Sequence, residues 1–318
     1  MTTAEQNWSL DTERAALAEL RTLSNWSRWG DDDEIGTLNL VTPEVVRRSA
    51  GLVRRGSVFP LGEFLGRGTR RLGSVPPPLH FMTMADSIPL FGAPTTVTLD
   101  GLVINSTHGS TTHVDALCHV SGYAGTFYND TPAEAVGYAG ARRLDIAKVS
   151  AVTTRGVLLD IARLRGGTSL HTYDVVTADD LARAADAAGV GVGPGDAVLV
   201  RTGWPAAYGG DGVGWYREAP GIGPSAALWL ARRDVALIGC DNGGVECVNV
   251  LPDKSGDPRA EIIQTLHPLL LANLGIHLLE LLNLEALAAA GVAEFQFVMA
   301  PLRIVGGTGS PVNPIAIC

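Results

Sequence analysis

The side chains best suited to chemistry lie together in the segment H-G-S-T-T-H-V-D-A-L-C-H, residues 108–119. The segment holds three of the seven histidines in the chain and one aspartate. Imidazole and carboxylate groups are ligands that suit a borderline divalent ion such as zinc or manganese. Alternate residues of an extended segment share one face, so the side chains of His113 and Asp115 would point the same way. The spacing therefore predicts that His113 and Asp115 bind one metal ion.

His119 follows Asp115 by four residues and would reach the same side if residues 116–118 form a turn of helix. Its imidazole suits two roles, that of a metal ligand and that of a general base that takes a proton from water. The ordinary explanation of any single histidine is a hydrogen-bonded residue of the core or surface. That explanation accounts poorly for the whole cluster, and we therefore favour a metal site.

A second candidate pair, His267 and Glu280, lies in the most apolar stretch of the chain, Leu266 to Val292. A membrane span is not expected there, because six polar side chains would have to enter the hydrocarbon. In one unbroken helix, thirteen residues at about 100° each would leave the histidine and the glutamate on opposed faces. One interpretation is therefore a wholly helical stretch with a role only in the core.

Pro268 and Gly275 interrupt this stretch and favour a second interpretation. His267 would then precede a short helix, and Glu280 would lie in a separate buried strand over residues 276–282, before a final helix. In that arrangement the two side chains could converge on one ion.

The histidine-rich segment resembles the signature of the putative cyclase family, H-x-G-T-H-x-D-x-P-x-H, to which kynurenine formamidase-like and isatin hydrolase-like enzymes belong. The second histidine, the aspartate and the last histidine of the signature fall on His113, Asp115 and His119. Longer-chain members carry a late histidine followed by a glutamate, which fall on His267 and Glu280. The resemblance covers nearly the whole chain, including the stretches NWSRWGDDDEIGTLNLVTPE, GVLLDIA, GDAVLVRTGW and FQFVMAPLRIVGGTGSPVNPIAI.

The chain departs from the signature at its first histidine, which would fall on Gly109, whereas this chain has His108 one place earlier. Thr111 and Leu117 replace the glycine and the proline of the signature. His108 would be a metal ligand only if a one-residue bulge realigned the chain. Without a bulge, replacement of His108 by alanine should have little effect on metal binding.

The resemblance implies a divalent metal cofactor, Zn²⁺ or Mn²⁺, and a set of ligands. The implied ligands are His113, Asp115, His119, His267 and Glu280, together with His108 if the chain bulges. A second ion would lie at the late pair, with Asp115 as a bridge. The catalytic residues that the resemblance implies are His119 and Glu280.

The resemblance also implies an activity, the hydrolysis by metal-activated water of C–N bonds in formamides or cyclic amides such as isatin, or the opening of lactones. Two other functions stay open: a lyase or cyclase acting on a polyketide-like chain, and a non-catalytic homologue that binds a small ligand. The expected partner is a small molecule, and the implied assembly is a homodimer or homotetramer. Four tryptophans could stack an aromatic substrate, although core packing explains each equally well: Trp26, Trp29, Trp204 and Trp215.

The elements that must position these residues begin with two N-terminal helices. An Ala/Leu/Glu/Arg-rich run predicts a helix over residues 10–23, and Thr42 and Pro43 predict the start of a second helix. Further on, Thr177 and Asp180 form the capping-box-like start of a third helix.

Short β-rich runs separated by turns follow from Thr95 onward and predict a central sheet. Strands that alternate with one or two helices indicate a mixed α/β or α+β class. The resemblance implies a swivelling β/β/α-type cyclase fold, with a mixed sheet or open barrel flanked by helices. We assign residues 1–60 to an N-terminal helical extension and 61–318 to one metal-hydrolase domain. The proline-rich stretch 70–94 has no period and is expected to be an irregular connection.

Composition argues against several classes of protein. The chain has 24 basic and 33 acidic side chains, a formal net charge of −9 and no Lys/Arg block, which argues against binding to nucleic acid or an anionic membrane. The N-terminal residues lack the basic and apolar regions of a secretory signal, so a cytoplasmic protein is expected. Four cysteines without a CxxC pair indicate reduced, buried thiols.

Other polar residues have no position in a motif. His80, His171 and His277 are expected to be structural, although His277 is also placed to support the late pair. Asp241 and Asn242 suit either a pocket edge or a plain turn, and we expect the turn.

Overall fold

The computed structural model describes residues 8–66, 69, 75–90, 93–208, 216, 218–247, 262 and 265–318. A nine-stranded mixed sheet forms its centre and curls into a half-barrel. In order across the sheet, the strands are β1 (Val58–Pro60), β17 (Ile315–Ile317), β15 (Glu294–Met299), β9 (Val152–Asp160), β11 (Ala197–Arg201), β13 (Leu237–Cys240), β14 (His277–Glu280), β4 (His113–Asp115) and β16 (Gly309–Pro311). The mixed α+β class predicted from the sequence is confirmed.

Helices and short strands surround this sheet. The α-helices are α1 (Leu10–Leu20), α2 (Pro43–Ala50), α3 (Ile161–Leu164), α4 (Ala178–Ala188), α5 (Trp204–Ala207), α6 (Pro224–Ala231) and α7 (Glu285–Ala289). A π-helix spans Pro268–Asn273, and 3₁₀ turns span Gly36–Leu40, Tyr128–Asp130, Ala133–Ala135 and Ile146–Lys148. The other strands are β2 (Leu79–Leu90), β3 (Ala93–Val103), β5 (Thr126–Phe127), β6 (Thr131–Pro132), β7 (Val136–Gly137), β8 (Gly140–Ala141), β10 (Val175–Val176) and β12 (Gly221–Ile222).

The middle of the sheet is parallel, in the order β9, β11, β13 and β14. Every residue of β11 and β13 is buried, as expected for parallel strands that are covered on both faces. Helix α2 packs on β9 and β15, α4 packs on β9, and α1 packs on α6. The β-rich runs predicted at β9, β11 and β13 therefore form the buried centre of the sheet and stabilise it by their burial, whereas the run that begins at Thr95 forms β3, outside this sheet.

Strand β4 carries two predicted ligands and lies between β14 and β16, antiparallel to both. In this register Glu280 of β14 is paired with His113, and Gly309 of β16 is paired with Asp115. Paired residues of adjacent strands place their side chains on the same face. The hydrogen-bond ladder therefore brings the His113 and Glu280 side chains together before any ligand is considered.

The predicted helix starts are confirmed. The Thr42 side chain accepts a hydrogen bond from the Val45 N–H at the start of α2, and Thr177 and Asp180 form a complete capping box on α4. Helix α1 ends at Leu20, three residues before the predicted end. The boundary near residue 60 between an extension and a domain stays a prediction.

The apolar stretch after Leu266 divides into the π-helix, β14 and α7, so its interpretation as one helix is wrong. Gly275 takes a left-handed conformation, with φ of 63°, and separates the π-helix from β14. His267 is the residue that precedes the π-helix, and Glu280 is the last residue of β14. Among the described residues, no helix is both long enough and apolar enough to cross a membrane.

The irregular connection expected over residues 70–94 is wrong where the structure describes it, because β2 and β3 form a long antiparallel hairpin apart from the main sheet. Residues 70–74 and 91–92 lie outside the described residues. At the base of the hairpin, Leu79, Phe81 and Leu102 are exposed. Since these side chains do not pack on a core, the alternation that marks a half-buried strand is missing from the sequence.

All four cysteines are buried, which confirms the prediction of buried thiols: Cys118, Cys240, Cys247 and Cys318. Burial raises the pKa of the Cys118 thiol to about 12. Burial therefore disfavours the thiolate form that a nucleophile needs, although Cys118 lies between two candidate ligands in the sequence.

Candidate metal centre

Five of the predicted residues converge in two groups that share one aspartate. The first group is His108, His113 and Asp115, and the second is Asp115, His267 and Glu280. In each group the ligand atoms lie within 4.8 Å of one another. The fold therefore brings the histidine-rich segment, residues 108–119, next to His267 and Glu280, as predicted.

His113 presents one ring nitrogen to the cluster. Its Nδ1 lies 2.8 Å from the carbonyl oxygen of Thr111, a contact in which Nδ1 carries the hydrogen and donates. Nε2 then bears a lone pair, and it lies 3.5 Å from Asp115 Oδ1 and 3.4 Å from Glu280 Oε2. Three acceptors that face one another in a buried site repel one another unless a proton or a metal cation lies between them.

Asp115 is fully buried, and neither of its carboxylate oxygens has a hydrogen-bond partner among the described residues. His108 Nδ1 lies 2.9 Å from Asp115 Oδ1, but the contact lacks hydrogen-bond geometry. Burial opposes the ionised carboxylate, yet His119 and the other nearby histidines hold the pKa of Asp115 well below its usual range. A buried carboxylate with two unsatisfied oxygens and nitrogen ligands around it has the donor set of a divalent metal site.

The two oxygens of Asp115 face different groups. Oδ1 faces His108 and His113, whereas Oδ2 lies 3.8 Å from His267 Nε2. The same His267 nitrogen lies 3.1 Å from Glu280 Oε1. This division fits the bridging role that the family resemblance implied for Asp115.

The chain brings His108 into the cluster through a turn. Gly109 has a left-handed φ of 75°, which re-aims the preceding residue. On the neighbouring strand, Gly309 makes room for the imidazole, since a Cβ there would lie 2.7 Å from His108 Cε1. The sequence left the role of His108 open. The signal that could have decided it is the combination of Gly109, directly after His108, with Gly309, far away in the sequence.

His119 lies beside the two ligand groups and, among the described residues, belongs to neither. A turn in which the His119 N–H donates to the Ala116 carbonyl carries its ring onto that of His108, at a centroid distance of 3.7 Å with the planes 3° apart. Burial lowers the pKa of His119 to about 4, so the ring is neutral. A neutral imidazole at this place can accept a proton without holding an ion.

The cluster is open to solvent on one side. The side chains of His108 and His267 are 24% and 18% exposed, whereas that of His113 is 1% exposed. A water or small molecule would therefore approach from the side on which His108 and His267 are partly exposed.

Two residues near the cluster were missed by sequence reasoning. Glu246, in the loop after β13, lies 2.5 Å from His267 Nδ1 through its Oε1. Tyr216 packs on the apolar cluster around Leu281, and burial followed by the charge of Glu280 raises the pKa of its phenol. Neither residue belongs to a local pattern, so only the tertiary fold reveals them.

The remaining histidines belong to neither ligand group among the described residues, and Asp241 borders a small cavity beside Thr111, Thr112 and Leu281. His277 is buried and its Nδ1–H donates to the backbone oxygen of Asp115 at 2.8 Å. His80 pairs with Asp100 across the hairpin at 2.7 Å. His171 is exposed and lies outside the cluster.

Packing accounts for three of the tryptophans. Trp26 Nε1–H donates to the Ala272 carbonyl at 2.7 Å, and the Arg28 guanidinium lies 4.7 Å from the Trp29 ring. Trp204 is buried against the ring of Tyr208. Trp215 lies outside the described residues.

A comparison of the sequence with family profiles matches residues 75–247 to a family described as putative cyclase. A solved structure described as a novel cyclase superposes with a TM-score of 0.83 at 31% identity, covering 94% of this chain and 99% of that one. A search of curated proteins found no match.

Two more distant structures share the fold. An isatin hydrolase bound to the product analogue thioisatinate gives a TM-score of 0.58 at 20% identity, covering 87% of this chain and 99% of its own. Isatin hydrolase A from Ralstonia solanacearum gives 0.57 at 22% identity, covering 86% and 97%. At these identities the likeness is one of fold alone.

Proposed function

Since this chain belongs to the putative cyclase family, we propose that it is a metal-dependent hydrolase of small amides, cyclic amides or lactones. The observation that carries the proposal is the carboxylate of Asp115, which is fully buried and has no hydrogen-bond donor among the described residues. The isatin hydrolases of the same fold make cyclic amides the first class of substrate to test.

The ligand groups fit two divalent ions, Zn²⁺ or Mn²⁺. One ion would be held by His108, His113 and Asp115, and the other by Asp115, His267 and Glu280. Mixed imidazole and carboxylate donors suit both metals. When bound, the metal would supply acidity to a water molecule and polarise a carbonyl oxygen.

The chain's own residues would handle the proton and the substrate. His119 would accept the proton of the attacking water, since its ring is neutral and lies against the exposed side of the cluster. Glu280 would help to hold one ion, since its Oε1 lies 3.1 Å from His267 Nε2. Tyr216, packed beside Leu281, would border the substrate.

Metal analysis followed by product analysis tests the proposal. The purified chain, reconstituted separately with Zn²⁺ and Mn²⁺, should hold close to two ions per protomer. It should then hydrolyse at least one member of a panel of formyl-amines, cyclic amides and lactones. Less than roughly a tenth of an ion per protomer would favour a non-catalytic binding protein instead.

Heavy-oxygen water separates hydrolysis from lyase or cyclase chemistry. Hydrolysis places one solvent oxygen in the product, whereas elimination or ring closure does not. A product without the label would overturn the proposal. We also propose a homodimer or homotetramer, which sedimentation velocity can check.

A further inference from the structure

Glu246 binds the turn that carries His267 with both of its carboxylate oxygens. Oε1 accepts the Nδ1–H of His267 at 2.5 Å and the backbone N–H of the same residue at 3.1 Å. Oε2 accepts the backbone N–H of Leu266 at 2.9 Å. The side chain of Glu246 is only 5% exposed, so these bonds form away from competing water.

The contact at Nδ1 decides what the other ring nitrogen does. His267 Nε2 lies 3.1 Å from Glu280 Oε1 and 3.8 Å from Asp115 Oδ2, and with a hydrogen fixed on Nδ1 it is the nitrogen that would bind an ion between these carboxylates. A carboxylate on the far nitrogen fixes both the tautomer and the ring orientation of a metal-binding histidine. Glu246 therefore holds His267 in the form that can bind an ion.

The loop that carries Glu246 is held in a strained conformation. Val245, directly before it, has a left-handed φ of 56°, which is rare for a β-branched residue. The backbone pairs with β12 on both sides of Glu246, because Ile222 N–H donates to the Val245 carbonyl and Cys247 N–H to the Ile222 carbonyl, each at 3.1 Å. Such strain persists only where surrounding contacts over-determine it.

Asn242 connects this loop with Glu280. Its Nδ2 donates to the Pro220 carbonyl at 2.6 Å and to the Glu246 carbonyl at 3.2 Å. The backbone carbonyl of Asn242 accepts the N–H of Leu281 at 2.9 Å. Leu281 directly follows Glu280 and has a left-handed φ of 58°. One residue thus supports the backbone beside both carboxylates that contact His267.

We infer that Glu246 is a positioning residue for the ion held by Asp115, His267 and Glu280, with Asn242 holding the loop in place. The inference rests on the proposed function, since it concerns the second ion of that site. It assigns to Glu246 no contact with substrate or ion. Its effect passes through the ring of His267.

The test compares Glu246→Ala and Glu246→Gln with the wild type in competition for Zn²⁺, and separately for Mn²⁺, against a chromophoric chelator. We expect Glu246→Ala to lower the affinity for one of the two ions by about 10- to 100-fold and to leave the affinity for the other unchanged. Glu246→Gln keeps one acceptor for the Nδ1–H of His267 and should therefore lose less metal affinity than Glu246→Ala. The variant His267→Ala marks which of the two ions is affected.

Asp241→Asn is the matched control. Asp241 is a buried carboxylate that follows the same strand, and its hydrogen bonds go to Thr202 and Gly203, which belong to neither ligand group. It should lower the thermal midpoint and leave both metal affinities unchanged, when they are measured well below that midpoint.

The outcomes separate the two proposals. Wild-type affinity for both ions in folded Glu246→Ala and Glu246→Gln would overturn the positioning role and leave the proposed function standing. If the alanine variant does not fold, the glutamine variant decides the matter alone. A wild type that binds neither metal would overturn the proposed function and this inference with it.

Discussion

Asp115 and Asp241 are two buried aspartates at the ends of nearby strands, β4 and β13, and their surroundings are opposite. Asp241 accepts hydrogen bonds from the Thr202 N–H at 2.9 Å, the Thr202 hydroxyl at 2.6 Å and the Gly203 N–H at 2.8 Å. Asp115 has no such partner among the described residues and faces imidazole nitrogens instead.

The difference shows that burial alone does not identify a metal ligand. A buried carboxylate needs compensation, which hydrogen-bond donors supply at Asp241 and a cation would supply at Asp115. Burial raises the pKa of Asp241 in spite of the Thr202 bonds, whereas nearby histidines lower that of Asp115. The type of neighbour separates a structural turn from a site.

The largest effect is expected for Asp115→Asn, which removes the charge shared by both ion sites. Activity should fall to background. The variant should also lose the stabilisation by added metal that the wild type gains, about 2.7 kcal/mol at a metal concentration 100-fold above Kd. Urea unfolding with and without metal measures the second effect. A variant that stays active and metal-stabilised would contradict the assignment of Asp115.

His108→Ala should lower the affinity for the ion of the first group, His108, His113 and Asp115, by at least about 10-fold, as expected when a metal ligand is lost. The sequence alone suggested little effect, and the turn at Gly109 is the reason for the change. Isothermal titration with Mn²⁺ measures the loss. Unchanged binding would mean that His108 only packs against the ring of His119.

Asp241→Asn should cost about 1–3 kcal/mol of unfolding free energy, because the side-chain NH2 of asparagine cannot accept the backbone N–H groups of Thr202 and Gly203 that both carboxylate oxygens accept. The cost should be the same with and without metal, which is the opposite of the result at Asp115. Parallel urea titrations of the two variants make this comparison. A metal-dependent cost would place Asp241 in the site.

Gly309→Ala should weaken metal binding at the first group less than His108→Ala does. The added Cβ would lie 2.7 Å from His108 Cε1 and 2.9 Å from the Val114 carbonyl oxygen, so the imidazole must shift. Gly191→Ala is the control, since a Cβ there meets nothing within 4 Å. Equal metal affinities in the two variants would show that His108 needs no such space.

The smallest effect is expected at a third buried carboxylate, Glu13, which accepts bonds from the Ser225 N–H and hydroxyl at 2.8 and 2.6 Å. Burial raises its pKa above the ordinary 4.5, so its protonated form favours folding and that contribution is lost as the pH rises through the folded-state pKa. Glu13→Gln should therefore gain stability relative to the wild type as the pH rises above 4.5. Urea midpoints measured across this range check the sign.

Local signals predicted the parts of the fold that local chemistry decides. Thr42, Thr177 and Asp180 mark helix starts through bonds within one turn, and these elements were predicted correctly. The break at Gly275 likewise allowed His267 and Glu280 to be placed together.

The rest depends on contacts between distant residues. Gly309 provides the space for the His108 ring. Glu246, in a loop with no recognisable sequence pattern, fixes the tautomer of His267 by accepting its Nδ1–H. The hairpin of β2 and β3 was missed because its exposed base lacks the alternation that sequence reasoning uses. In each case the deciding partner lies across the fold.

Strand β4 is hydrogen-bonded on both edges and fully buried. Amide hydrogens in such a strand exchange with solvent mainly through global unfolding. The backbone frame of the proposed ligands is therefore built by the sheet and not by an ion. We expect that a chelator would remove a bound ion, and that the ion could be replaced, without unfolding of the chain.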